Sequence, residues 1–112
     1  MNVLYYEEGF SPKVISISCD LKNVSKIIGG NIMKINMGND CVIICNDKQT
    51  KRKPRKKTLN RVVIVPVIND KVMSGVESKY VCGNFFICSD ENGLLKDFPK
   101  SRYDEIIALC GE

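Results

Sequence analysis

From Lys48 to Arg61 the chain reads Lys-Gln-Thr-Lys-Arg-Lys-Pro-Arg-Lys-Lys-Thr-Leu-Asn-Arg, with eight cations and no carboxylate. No other segment restricts the fold as much. Lys51, Arg52, Lys53, Arg55, Lys56 and Lys57 crowd into one heptad, and a hydrophobic core cannot take in such charges without paired anions. Pro54, in the middle, lacks an amide donor and clashes with the preceding turn, so neither a continuous helix nor a central strand can run through it. The core must therefore form from the segments on either side, with the basic run as a loop between them.

The same run dominates the charge distribution. The chain holds 17 Lys and Arg against 13 Asp and Glu. Removing the eight cations of the run leaves nine against 13, so the remainder is net −4 while the whole is +4. Segregation of this kind points to an anionic partner, or to a strap that stays solvated.

At 112 residues with 44% hydrophobic and 27% charged positions, the chain is predicted to form a single domain, residues 1–112, with a genuine core. Glu7-Glu8 follows closely on the N-terminus and no long apolar run precedes it, so no secretory leader is expected. The apolar runs, Val62–Ile68 among them, are too short to span a bilayer, and a cytoplasmic location without membrane association is expected. Cys19, Cys41, Cys45, Cys82, Cys88 and Cys110 lie mostly in apolar segments, where reduced cysteine packs as a small hydrophobe. Their spacing lacks the close pairs of a zinc site and the chain has no His, so neither metal nor other cofactor is expected.

Val3–Tyr6 and Lys13–Ile17 read as strands, separated by a turn that holds Gly9 and Pro12. Asp20 is a helix N-cap. Leu21, Val24, Ile27 and Ile28 then form one apolar face, and Gly29-Gly30 stops the helix. Asn31–Met37 and Cys41–Cys45 form a hairpin about Gly38-Asn39-Asp40. Val62–Ile68 is a strand that Pro66 assigns to a sheet edge or bulge. Asn69–Lys79 reads as a polar loop, Tyr80–Cys88 as a strand bent near Gly83, and Ser89–Phe98 as irregular with a turn at Asn92-Gly93. Pro99 opens a last helix with Tyr103, Ile106, Ile107 and Cys110 on one face, and Gly111 closes it. The predicted class is α+β: a small, mostly antiparallel sheet with two short helices packed on one face.

Pro12-Lys13-Val14, Asp20-Leu21, Ile28-Gly29-Gly30, Cys45-Asn46-Asp47, Leu59-Asn60-Arg61 and Gly83-Asn84-Phe85-Phe86-Ile87 follow one another along the chain. In this order they resemble an uncharacterised family of small phage and Gram-positive bacterial proteins, domain of unknown function 3846. The resemblance runs from Val3 to about Ile107. It implies a small α+β domain of phage or mobile-element type, acting in the host cytoplasm if phage-encoded, and brings no activity and no catalytic residues. The family's connection before Leu-Asn-Arg is short and fairly neutral, whereas here it is long and basic.

Two candidate sites follow. Lys48, Lys51, Arg52, Lys53, Arg55, Lys56, Lys57 and Arg61 are the expected polyanion contacts: they can neutralise phosphates, and the arginines can bind them bidentately. The run contains no aromatic residue to stack bases, so contact with nucleic acid is expected to be largely sequence-independent. A solvated loop without a ligand is the plain alternative, and the heptad also resembles a nuclear-localisation cluster. Asn46, Asp47, Asn60 and Arg61 are the second candidate, a polar pocket for a small anion or nucleotide. Their structural alternative is a turn capped by Asn46 with Asp47 bridging Arg61. No catalytic set is expected, since a Ser or Cys nucleophile would lack a His partner. The expected partner is nucleic acid or another polyanion; the alternative is an anti-defence antagonist that binds an acidic host protein or sequesters a phosphorylated nucleotide signal.

Overall fold

Cys41-Val42-Ile43-Ile44-Cys45 is buried at every position, which a strand achieves only when both faces of its sheet are covered. The computed structural model, which describes residues 1–49, 59–70 and 72–112, shows how. Strands β1 (Asn2–Tyr6), β2 (Lys13–Ser16), β3 (Ile32–Gly38), β4 (Cys41–Asn46) and β7 (Phe85–Glu91) form one sheet in the order β2-β1-β7-β4-β3, with β8 (Leu94–Lys96) added to β7. Every ladder is antiparallel. A separate ribbon pairs β5 (Leu59–Asn69) with β6 (Val72–Cys82).

Alternate residues of the central strands serve opposite faces. Val3, Val42, Ile44, Phe86 and Cys88 pack against Val24 and Ile28 of helix α1 (Leu21–Ile28). Leu4, Tyr6, Ile43, Phe85 and Ile87 pack against Val63, Val65 and Val81 of the ribbon and against Ile106 and Cys110 of helix α2 (Tyr103–Cys110). The helices thus lie on opposite faces, not on one as expected. The continuous apolar stretches Cys41–Cys45 of β4 and Phe85–Cys88 of β7 require this, because one helical layer would leave Val42, Ile44 and Phe86 in water, each losing roughly 1.5–3 kcal/mol of burial.

Local signals set the ends of these elements. The Asp20 carboxylate accepts from the Asn23 amide at 2.8 Å and caps α1. Gly29, at φ 76°, ends the helix by donating its N–H to Ser25. Asn39 and Asp40 both have positive φ, which gives the tight β3–β4 hairpin the twist its strands need. Arg102 ties that hairpin to α2, donating to the Asn39 carbonyl at 3.2 Å and to both carboxylate oxygens of Glu105 at 2.8 and 2.9 Å.

Two other expectations change. Residues 69–79 are mostly strand: β6 begins at Val72 and pairs with β5 as far as Cys82, apart from bulges. Val72 through Lys79 are exposed on both faces, so no apolar alternation marks the strand, which forms through its main-chain ladder. Residues 89–98 contain the β7–β8 hairpin, turned by Asn92 and Gly93 at positive φ. Pro66 lies in β5 opposite Val76, in a ribbon whose two strands, among the described residues, pair only with each other. Among the described residues no helix is long and apolar enough to cross a membrane.

Candidate functional site

The basic run leaves the end of β4 and returns as β5, and both ends are fastened to Cys82. At the leaving end, the Gln49 side chain forms a two-way pair with the Cys82 main chain. Its Nε2 donates to the Cys82 carbonyl at 3.0 Å, and the Cys82 N–H donates to its Oε1 at 2.8 Å. The Asn46 side chain holds this corner. Its Oδ1 accepts from the Lys48 amide at 3.0 Å and from Gln49 Nε2 at 3.2 Å, while its Nδ2 donates to the Ile28 carbonyl at 3.2 Å. At the returning end, Leu59 is the β-ladder partner of the same Cys82.

The next residue, Asn60, is the sole buried polar side chain among the described residues. Its Nδ2 donates to the carbonyls of Tyr6 (2.8 Å) and Gly83 (3.0 Å), and its Oδ1 accepts from Arg61 Nη1 (3.0 Å). These bonds meet the requirement that a buried amide be paired. Gly83 sits between the two asparagines at φ +76°, and a Cβ there would come within 2.9 Å of Asn46 Nδ2. Glycine is needed for both reasons.

Arg61 is bound by the body of the domain. Nη1 also donates to the Asn60 carbonyl, and Nη2 donates to the carbonyls of Phe10 (2.8 Å) and Glu112 (3.0 Å). Its guanidinium carbon lies 5.3 Å from the centroid of the Tyr6 ring. That ring stacks on Phe85 at 4.7 Å with 7° between planes, and its hydroxyl donates to the Gly111 carbonyl at 2.7 Å. Burial first, and the nearby Cys110 thiol second, push the Tyr6 phenol well above its usual pKa, against an opposing pull from Arg61.

The sequence candidates therefore separate. Asn46 and Asn60 meet at the Cys82-Gly83 corner, and their side chains are occupied there as fasteners. Asp47 is exposed, and its N–H donates to the Asn31 carbonyl. No Asp47–Arg61 bridge occurs among the ion pairs of the described residues, because Arg61 is spent on main-chain carbonyls and the Tyr6 ring. Lys48 is exposed at the root of the run. Lys51, Arg52, Lys53, Arg55, Lys56 and Lys57 lie outside the described residues. Sequence reasoning missed Gln49 and Tyr6, since a lone Gln or Tyr gives no local signal; Gly83 was visible as a bend, though not as the meeting point. Among the described residues no three His, Cys, Asp or Glu side chains are grouped to hold a metal.

Beside this corner an open cleft of about 520 Å³ separates β3 from β6, lined by Met33, Ile35, Gln49, Lys79 and Tyr80 among others. A family model described as "Domain of unknown function (DUF3846)" matches residues 1–109. No curated protein and no solved structure matches the chain.

Proposed function

The chain belongs to the family of domain of unknown function 3846, which supplies no activity to inherit, and from its charge layout we propose a non-enzymatic binding protein of phage or mobile-element type whose basic segment ahead of β5, residues 48–58, engages nucleic acid phosphates. One observation carries this reading. Gln49 and Leu59 are both fastened to Cys82, and the sequence between them carries six cations and no carboxylate, while the rest of the chain holds 11 Lys and Arg against 13 Asp and Glu, net −2. Attraction of phosphates to such a loop needs no sequence readout, because released counterions supply the free energy. Lys48, Lys51, Arg52, Lys53, Arg55, Lys56 and Lys57 are the contacts. Arg61 is the anchor of the returning strand, its guanidinium being held by protein carbonyls.

Fluorescence anisotropy with labelled single-stranded DNA, duplex DNA and RNA tests this. With about six phosphates neutralised, raising salt from about 50 to 200 mM weakens binding roughly a thousandfold. Replacing the six cations of 51–57 with Gln abolishes binding and leaves the unfolding midpoint unchanged. Absence of binding to all three probes at low salt overturns the reading. So does a nuclease-resistant pull-down in which the intact loop retains an acidic protein or a nucleotide instead, an outcome that favours an anti-defence antagonist.

A further inference from the structure

Strand β6 is exposed along Val72–Lys79 and, among the described residues, pairs with β5 alone, so its other edge presents main-chain donors and acceptors that no described strand takes up. Such an edge is a template for another strand. Val72, Met73 and Val76 are each more than 60% exposed on it, a large apolar load for a strand in contact with water alone. The edge ends at Cys82, where the Gln49 amide already bonds to the main chain. Beside it lies the cleft toward β3, lined by Met33 and Ile35 together with Glu77 and Lys79.

The order of charges on this edge selects the occupant. Glu77 and Lys79 flank Ser78 and point to the same face, their side chains 3.7 Å apart. If two copies of the strand run antiparallel about a two-fold axis at Ser78, Glu77 of each faces Lys79 of the other, and Val76 faces Tyr80. Both arrangements are favourable cross-strand pairs. A lone edge lysine would repel a second copy, whereas this pair is complementary to itself. Gly75, at φ +155° beside a bulge in the β5–β6 ladder, bends the strand where an added copy has to diverge from the Gln49 cap. We infer that β6 is a self-association edge, pairing antiparallel with β6 of a second copy of this chain through Val76–Tyr80.

Sedimentation equilibrium on the intact chain, from micromolar to hundreds of micromolar, tests the inference. The unmodified chain sediments at twice the monomer mass at the upper end. Glu77→Lys and Lys79→Glu each set like charges opposite one another at two symmetric places, weakening association on the order of tenfold. The double variant Glu77→Lys/Lys79→Glu restores the pairing, and a mixture of the two single variants forms a heterodimer. In the unmodified chain, amides between Val76 and Tyr80 gain protection from hydrogen exchange as concentration rises. A monomer at every concentration overturns the inference, as does a dimer indifferent to both single substitutions or protection that does not change with concentration.

Discussion

Replacing Asn60 with Ala isolates the fastening of the returning strand from the charge it follows. The substitution removes three hydrogen bonds: Nδ2 to the Tyr6 carbonyl at 2.8 Å, Nδ2 to the Gly83 carbonyl at 3.0 Å, and Arg61 Nη1 to Oδ1 at 3.0 Å. At about 1 kcal/mol net for each, the loss is about 3 kcal/mol. Arg61 retains its other three carbonyl partners, which keeps the loss from running higher, while the shielded Tyr6 and Gly83 carbonyls lose a donor each and keep it from falling much lower. Urea unfolding followed by far-UV circular dichroism reads this directly. With an m-value of about 1.5–2 kcal/mol/M for a domain of this size, the midpoint falls by about 1.5–2 M. Asp47→Ala, at an exposed side chain with no ion-pair partner among the described residues, stays within about 0.5 kcal/mol of the parent. Binding of DNA by the folded fraction of Asn60→Ala stays unchanged, since the side chain has no polar atom left over for a ligand. A loss below about 1 kcal/mol, or equal losses at the two sites, would refute the fastener role.

Further predictions concern other features of the fold. Gly83→Ala combines a left-handed backbone, costing about 1–2 kcal/mol, with displacement of the Asn46 amide, for a total of about 2–3 kcal/mol in thermal unfolding. In an Asn46→Ala background the same change costs about 1 kcal/mol less, and additivity of the two would exclude the contact. Asp20→Ala removes the cap of α1 and lowers stability by about 1 kcal/mol, with no change in loop binding. Burial raises the thiol pKa of Cys45 to about 11 and those of Cys88 and Cys110 to about 12, while Cys19 is exposed. Alkylation of the native chain, followed by intact mass, therefore adds its first label at Cys19; early labelling of Cys88 or Cys110 contradicts the packing. These thiols and the Tyr6 phenol all have folded pKa values above their unfolded ones, so their contribution to stability is complete below the unfolded values and declines as pH rises past them. The urea midpoint is accordingly level between about pH 6 and 8 and falls from about pH 9 upward; a level midpoint to pH 11 would show the groups to be accessible.

Legibility in the sequence followed how local each signal was. Asp20, Gly29, the Asn39-Asp40 turn and the Ile106/Cys110 stripe act through neighbours in the chain, and each marks its element correctly. The Val72–Lys79 part of β6 escaped detection because its side chains are exposed on both faces, so the period of two that reports a half-buried strand never develops. The opposed helices escaped because the pattern of α1 shows that it has an apolar face, and not which side of β4 that face meets. Asn60 and Arg61 were conspicuous as a polar pair ahead of an apolar strand, but their targets are main-chain carbonyls at Tyr6, Gly83 and Phe10. Main-chain carbonyls carry no side-chain identity to read. The contacts that fasten the loop are of this type, which is why the cations were visible and their mounting was not.

The shared fastening at Cys82 has a consequence for how such a loop can vary. With Gln49 and Leu59 held to one residue, the distance between the ends of the loop is fixed by the body, whatever the loop contains. Closing a loop between fixed ends grows in cost only with the logarithm of its length, about 0.6 kcal/mol per doubling. Residues can therefore be gained, lost or exchanged between these two points for a fraction of what the clasps contribute. The corner behaves as a socket: selection on the ligand can rewrite what is plugged into it while the fold goes on being selected separately.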